Sequence, residues 1–247
     1  MSSLLTGKVA LITGGSKGIG KATALRLARD GAQVAINYSS DASAADALVQ
    51  EIGSDRAFAI KCDAGDVSSI GEMVDAVLER FGRLDVVVAS AAFMELNELQ
   101  SITEEQFDRT MNLNVKGPLF LAQKAAPHMA PGSSIILFSS TQTAASTVTG
   151  NYLTYCTSKG AVEQMTRVLS KDLAAAGKQI MVNCVAPGPT ATDLFMKGKP
   201  EALVKTIAGF NPQKRIGKPE EIADTVAFLA TTTWVTGQVL RANGGMA

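Results

Sequence analysis

Short apolar runs alternate with amphipathic stretches along the whole chain. The apolar runs are rich in β-branched residues and predict seven strands, over residues 9–13, 33–37, 56–61, 85–89, 134–139, 179–185 and 238–241. Apolar positions at helical spacing predict helices over residues 18–29, 67–81, 104–129, 152–175 and 219–230. Because strands and helices alternate and the strands are almost fully apolar, the pattern predicts a parallel sheet with helices on both faces.

This order of elements favours a single-domain α/β fold over residues 1–247, Rossmann-like and doubly wound, since no Ser-, Gly- or Pro-rich linker divides the chain. Ligands of such sheets bind beyond the carboxyl ends of the strands, so functional residues are expected directly after strands. The segment 190–212 has no matching strand. It is expected to form short helices and a loop that cover the site as a lid.

Composition narrows the class of protein. Lys and Arg number 23, as do Asp and Glu, and no basic stripe is present, so nucleic acid is not an expected partner. The sequence shows neither a signal peptide nor an apolar stretch that approaches a membrane span. Its three cysteines are scattered and it has one histidine, which argues against a metal site and favours a reducing, cytoplasmic location.

The first candidate for chemistry is Tyr155, which stands four residues before Lys159 in a predicted helix. Residues at this spacing share one helix face, so the ammonium group is expected to lower the pKa of the phenol from about 10. A phenol tuned in this way can serve as a general acid or base. The alternative is a chance pair on the surface of an amphipathic helix.

A glycine-rich turn joins the first strand to the first helix. Glycines in such a turn permit the close approach of a pyrophosphate to backbone N–H groups at the helix N-terminus. The spacing is Gly-x-x-x-Gly-x-Gly instead of the usual Gly-x-Gly-x-x-Gly. The candidate cofactor-binding residues of this turn are Gly14, Ser16, Lys17, Gly18, Ile19 and Gly20.

The end of the second strand predicts which dinucleotide binds. An acidic residue there would bind the ribose 2′-hydroxyl of NAD, but the strand ends in Asn37, Tyr38 and Ser39. Without a carboxylate, a 2′-phosphate is not repelled; Lys17 could pair with it and Ser39 could donate to it. NADP(H) is therefore predicted. Lys17 could instead be a solvated surface residue, and Asp41 is interpreted as a helix cap.

Four motifs in order resemble the short-chain dehydrogenase/reductase family over essentially the whole chain. They are the cofactor loop 13–20, the pair Tyr155-x-x-x-Lys159, the Asn-x-x-x-Pro-Gly segment 183–188 and the closing strand 237–245. The Asn-Tyr-Ser sequence after the second strand is similar to that of NADPH-dependent carbonyl reductases, including fungal polyketide reductases and bacterial ketoacyl reductases.

The resemblance implies roles for individual residues. Ser140, at the end of the fifth strand, would bind the substrate oxygen, and Tyr155 would transfer the proton. Lys159 would tune Tyr155 and contact the nicotinamide ribose. Asn114 would hold a water molecule that contacts the lysine, with Asn112 as the less favoured candidate.

The resemblance also implies further contacts. Asp63 would lie near the adenine, although a turn or cap would equally explain it, and Thr192 would bind the carboxamide. Other implied cofactor contacts are Asn37, Tyr38, Ser39, Ala64, Ala91, Pro187, Gly188 and Thr190. Candidate substrate contacts are Phe93, Met94, Ser140, Gln142, Tyr152, Leu194, Phe195 and Met196. Phe195 and Met196 could instead form the core of the lid. If they line the site, the substrate is partly apolar.

One segment departs from the family pattern. Ala89-Ser90-Ala91-Ala92 replaces the usual Asn-Asn-Ala-Gly, which removes a side-chain hydrogen bond that Ser90 is expected to replace in part. The loop 142–151 is longer than in many relatives and is expected to shape substrate choice.

The function implied is NADP(H)-dependent reduction of a ketone or aldehyde to an alcohol, with tyrosine as general acid. The alternatives are an NAD-type alcohol dehydrogenase and a non-catalytic NADP(H)-binding regulatory protein. Enoyl reductases of this kind usually separate the tyrosine and the lysine by more residues. The family commonly forms homotetramers or homodimers through the helices predicted at 104–129 and 152–175.

Overall fold

The protein is described here by a computed structural model of residues 4–247; residues 1–3 of the predicted domain lie outside the described residues. Over residues 4–247 the sheet has seven parallel strands in the order β3-β2-β1-β4-β5-β6-β7. The strands are β1 (Val9–Thr13), β2 (Gln33–Tyr38), β3 (Ala57–Lys61), β4 (Leu84–Ala89), β5 (Met129–Phe138), β6 (Met181–Pro187) and β7 (Val239–Ala242). The predicted fold class is confirmed.

Helices cover both faces of the sheet. They are α1 (Gly18–Arg29), α2 (Ala42–Ile52), α3 (Val67–Phe81), α4 (Glu104–Met111), α5 (Gly117–Ala125), α6 (Leu153–Ala175), α7 (Asp193–Met196), α8 (Glu201–Phe210) and α9 (Pro219–Thr231). Alternate strand residues point to opposite faces, so Leu11 joins one core with α3, α5 and α6, whereas Ile12 joins another with α1 and α9. This two-sided burial explains the nearly continuous apolar runs of the strands.

The long helix predicted over 104–129 is wrong in its middle and at its end. The chain forms α4, then a π-helical turn (Asn112–Lys116), then α5, and β5 already begins at Met129. Pro118 has no N–H group to donate to the carbonyl of Asn114, so a regular α-helical bond cannot form at this point. The helix α2 was anticipated only by its cap, Asp41, which accepts a hydrogen bond from Ala44 N at 3.0 Å.

The segment 190–212 contains the two short helices α7 and α8 with their connecting loops, and its role as a lid stays a prediction. The strand order places the switch point of the sheet between β1 and β4, where successive connections leave in opposite directions and a crevice forms. Across residues 4–247, none of the helices combines the length and the apolar character needed to span a bilayer.

Candidate active site

A cavity of about 1670 Å³ lies along the carboxyl ends of the strands. Its volume exceeds the ~300–1,000 Å³ typical of a pocket for one drug-sized ligand, so it has room for a dinucleotide together with a substrate. Most predicted site residues line this cavity, from Gly14 after β1 to Thr192 before α7. Four predicted residues lie outside its lining, namely Ser16, Tyr38, Asn114 and Met196.

The glycine turn forms one end of the cavity. Gly14 and Gly18 have positive φ angles of 61° and 53°. A Cβ atom on Gly20 would lie 2.2 Å from the Gly14 oxygen, so only glycine fits there. Within residues 4–247 no side chain caps the start of α1, and this helix end lines the cavity. An uncapped, glycine-lined helix N-terminus suits a pyrophosphate.

Two residues hold this turn against its neighbours. The Oδ1 atom of Asn37 accepts a hydrogen bond from Gly14 N at 3.1 Å, while its Nδ2 atom donates to Cys62 O at 3.0 Å. Thr13 Oγ1 accepts a hydrogen bond from Ala91 N at 3.2 Å. Asn37 is therefore mainly a support for the turn, and Thr13 makes the connection between the ends of β1 and β4 for which Ser90 was expected.

The environment of Lys17 differs from the prediction. Its Nζ atom lies 2.5 Å from Oδ2 of Asp41, so Asp41 both caps α2 and pairs with the lysine. The hydrogen bond to Asp41 raises the pKa of Lys17, and the same bond lowers the pKa of Asp41. The interpretation of Asp41 as a cap alone is thus incomplete, since a carboxylate stands beside the cation predicted to bind a 2′-phosphate.

Tyr155 and Lys159 face the other end of the cavity from α6. Lys159 Nζ donates to Phe138 O at 2.9 Å and lies 5.7 Å from the centre of the Tyr155 ring. Burial raises the pKa of Tyr155 to about 12, against a smaller lowering by its hydrogen bond with Ser140. Burial also lowers the pKa of Lys159 to about 8. The predicted lowering of the tyrosine pKa is therefore wrong here, because burial is the largest effect on Tyr155 and raises its pKa.

Ser140 lies where β5 ends. Its Oγ atom accepts a hydrogen bond from Gln142 N at 3.3 Å at the start of the 3₁₀ turn Thr141–Thr143. Ser140 and Tyr155 line the same cavity, and Ser140 is the group that lowers the pKa of Tyr155 against the effect of burial. The cavity lining also includes the predicted substrate residues Phe93, Met94, Gln142, Tyr152, Leu194 and Phe195.

Asn114 makes side-chain contacts that the sequence did not predict. It is buried in the π-helical turn, where its Oδ1 atom accepts from Phe93 N at 2.8 Å. Its Nδ2 atom donates to Phe93 O at 2.9 Å and to Ser158 Oγ at 3.0 Å. Asn112, the less favoured candidate, lines the cavity instead. The Asn114 side chain therefore anchors the Phe93 backbone to α6, and its role in holding a water molecule stays a prediction.

Sequence reasoning missed a charged rim around the cavity. The first turns of α4 contribute Glu104, Glu105, Asp108 and Arg109 to the lining. The Arg109 guanidinium lies 4.1 Å from the centre of the Phe93 ring, a cation–π contact at the entrance. The sequence did contain a signal for this rim, because a helix that starts soon after a strand end places its charged residues near the carboxyl edge of the sheet. The prediction treated residue 104 only as the beginning of a long helix.

Comparison with known proteins agrees with this geometry. A family model described as enoyl-(acyl carrier protein) reductase matches residues 14–247. The chain is 41% identical to the short chain dehydrogenase mdpC of Emericella nidulans, over 98% of this chain and 96% of the relative. It is 36% identical to versicolorin reductase 1 of Dothistroma septosporum, over 98% and 96%.

A solved structure extends the likeness to three dimensions. The angucycline C-6 ketoreductase LanV with bound NADP superposes with a TM-score of 0.91, at 37% identity over 100% of this chain and 98% of that chain. The matches cover nearly the full length on both sides and agree with the motifs and with the sheet order. The chain belongs to the short-chain dehydrogenase/reductase family of oxidoreductases.

Proposed function

We propose that this protein is an NADP(H)-dependent ketoreductase that reduces a carbonyl to an alcohol, with Tyr155 as general acid. The observation that carries the proposal is that Ser140, Tyr155 and Lys159 line the same cavity as the uncapped, glycine-rich start of α1. Support for the cofactor comes from the NADP bound to the related ketoreductase. The glycine turn, Thr190 and Thr192 would hold the cofactor, which supplies the hydride when bound.

The residues around the carbonyl oxygen can manage the charge that develops there. As hydride reaches the carbon, Ser140 donates a hydrogen bond to the oxygen and Tyr155 transfers its proton to it. Burial keeps Tyr155 protonated, and an alkoxide is more basic than a phenolate, so the transfer runs downhill. Lys159, with a pKa of about 8, retains its positive charge at neutral pH and stabilises the resulting phenolate.

The lining of the cavity favours a substrate with an aromatic or otherwise apolar body and a polar substituent. Phe93, Met94, Tyr152 and Phe195 supply apolar surface. Gln142 also lines the cavity, and its Oε1 atom is buried with no hydrogen-bond partner within residues 4–247; a rotation of the amide toward the cavity would let it accept from a substrate hydroxyl. Relatives named for versicolorin and angucycline reduction support hydroxylated polycyclic ketones as the substrate class.

An NADPH-oxidation screen tests the proposal, with panels of simple ketones, quinones, β-ketoesters and hydroxylated polycyclic ketones. Tyr155→Phe is expected to bind NADPH normally, as measured by fluorescence titration, and to lose turnover by about 10²–10⁴-fold, the usual contribution of a general acid. Near-normal turnover in that variant would refute the role of Tyr155. Tight NADPH binding without turnover on any panel would favour a non-catalytic regulatory protein.

Cofactor preference separates the proposal from an NAD-type alcohol dehydrogenase. The KM values for NADPH and NADH, measured at equal substrate concentration, are expected to differ in favour of NADPH because no carboxylate ends β2. A clear preference for NADH would instead support the dehydrogenase.

We also propose a homotetramer, or at least a homodimer. Members of the family commonly pair through the helices that correspond to α4, α5 and α6. In this protein those helices expose the large apolar side chains Phe107, Leu119, Leu153 and Val168. Trp234, near the start of β7, is 95% exposed and could lie in a second interface. Light scattering coupled to gel filtration measures the mass, and a monomer at micromolar concentration would refute this assembly.

A further inference from the structure

One carboxylate outside the proposed reacting group contacts both flanks of Ser140. Glu163 lies one helical turn beyond Lys159 on α6, and its side chain is 22% exposed. Its Oε1 atom accepts a hydrogen bond from Ser139 Oγ at 2.8 Å and another from Thr143 Oγ1 at 2.6 Å. Its Oε2 atom lies 4.0 Å from Arg241 Nη2 on β7.

These contacts surround Ser140 in the chain. Ser139 precedes it at the end of β5, and Thr143 closes the 3₁₀ turn that follows it. The Thr143 hydroxyl also lies 2.8 Å from the carbonyl oxygen of Ser140 itself. A single carboxylate oxygen on α6 thus fixes the segment that carries Ser140 to the helix that carries Tyr155 and Lys159. Without the carboxylate, the Ser139 hydroxyl retains Lys159 O at 3.4 Å and the Thr143 hydroxyl retains Ser140 O at 2.8 Å, so the turn after Ser140 loses its hydrogen bond to α6.

We propose that Glu163 is a positioning residue, which sets the distance between Ser140 on the β5 end and Tyr155 on α6. The inference rests on the proposed function, because it assigns to Glu163 an effect that is exerted through Ser140. Misplacement of a hydrogen-bond donor by about 1 Å can cost on the order of 10²-fold in rate. The carboxylate itself touches neither the substrate nor the cofactor in this scheme.

A double-mutant cycle tests the assignment. Glu163→Leu replaces the acceptor with a shorter apolar side chain, and it is expected to lower kcat by roughly 10- to 100-fold with little change in NADPH affinity by fluorescence titration. In a Ser140→Ala background the same substitution is expected to lower kcat by less than about twofold, because the group it positions is gone. Low residual rates are measured as single turnovers with excess enzyme.

Two gentler variants guard against a general loss of folding. Glu163→Gln keeps an oxygen that can accept both hydroxyls and is expected to stay within about threefold of the wild-type kcat. Thr143→Val is expected to lose activity in the same direction as Glu163→Leu. Thr157→Val is the matched control on α6, since its hydroxyl bonds only to Leu153 O and is exposed; it is expected to leave kcat unchanged.

The outcomes distinguish a failure of the positioning role of Glu163 from a failure of the proposed function. Equal losses from Glu163→Leu in both backgrounds would overturn the positioning role, since the effect would then not pass through Ser140. So would an equal loss in Thr143→Val and Thr157→Val. A Ser140→Ala enzyme with wild-type turnover would overturn the proposed function itself, and the inference with it.

Discussion

Lys159 is expected to reduce the stability of the fold that holds it. Lys159 is 2% exposed, and within residues 4–247 its ammonium group donates a hydrogen bond to one acceptor, Phe138 O at 2.9 Å. Burial lowers its pKa from 10.5 to about 8. We therefore predict that Lys159→Met, which removes the charge while keeping an unbranched side chain, yields an inactive protein that is more stable than the wild type at pH 7.

The magnitude follows from the shift of the pKa. A lowering of about 2.5 units corresponds to about 3 kcal/mol of unfavourable free energy for holding the charged form in the folded state. Losing the hydrogen bond to Phe138 O returns about 1 kcal/mol. The net gain of about 2 kcal/mol in the free energy of unfolding corresponds to a rise of about 4–8 °C in Tm for a chain of this size.

The sign of the pH dependence provides a second, independent readout. Below about pH 8 both folded and unfolded states hold the lysine proton; between about 8 and 10.5 only the unfolded state does. The free energy of unfolding is therefore higher above about pH 10.5, and this contribution of Lys159 is lost as the pH falls from about 10.5 to about 8. The advantage of Lys159→Met over the wild type should shrink as the pH rises from 8 to 10.

Thermal and urea unfolding of the nucleotide-free protein at pH 7, 8, 9 and 10 measures both effects, at one fixed protein concentration because assembly shifts Tm. Lys171→Met on the same helix is the control, since Lys171 is exposed. A Lys159→Met protein that is less stable than the wild type at pH 7, or an advantage that stays constant to pH 10, would refute the reasoning.

Two further predictions concern the cofactor end of the cavity. Asp41→Asn keeps an oxygen to cap α2 but frees Lys17, so the Kd for NADPH is expected to fall by roughly two- to fivefold at low salt, with a smaller change for NADH and at high salt; equal changes for both nucleotides would contradict this. Gly117→Ala places a Cβ atom 2.1 Å from Ala64 O, and it should destabilise the protein by about 1–3 kcal/mol and weaken NADPH binding, since Ala64 lines the cavity. Gly71→Ala is the control, since a Cβ atom at this helical position would make only an ordinary contact with Lys124 Cε at 3.9 Å; it should be neutral or stabilising in the same urea titration.

The features that the sequence predicted well are those set by neighbouring residues. The glycine turn and the Tyr155–Lys159 spacing are local patterns, and both lie where the alternation of strands and helices placed them. The hydrogen bonds of Asn37 and Asn114 could not be predicted in this way, because each side chain bonds to backbone atoms more than 20 residues away in the chain. The direction of the Tyr155 pKa shift depended on burial, a property of the packed fold that helix spacing does not reveal.

The partners of charged side chains were also beyond prediction from the sequence. The sequence placed Lys17 in the glycine turn and Asp41 before α2, but only the folded chain brings the two groups to 2.5 Å. In the same way, the sequence shows Glu163 only as a polar residue on an amphipathic helix. Its hydrogen bonds to Ser139 and Thr143 exist only because the fold brings the end of β5 and the following turn against α6.

The π-helical turn at Asn112–Lys116 has a consequence for how the length of this chain can vary. A π-helical turn contains one more residue than an α-helical turn, so the direction of α5 depends on the number of residues here as well as on their identity. Deleting one residue would convert the turn to regular helix and rotate Asn114 by about 100° away from Phe93. Insertions and deletions should therefore be selected against in this short segment, even though it lies between two helices where a change of length would ordinarily be tolerated.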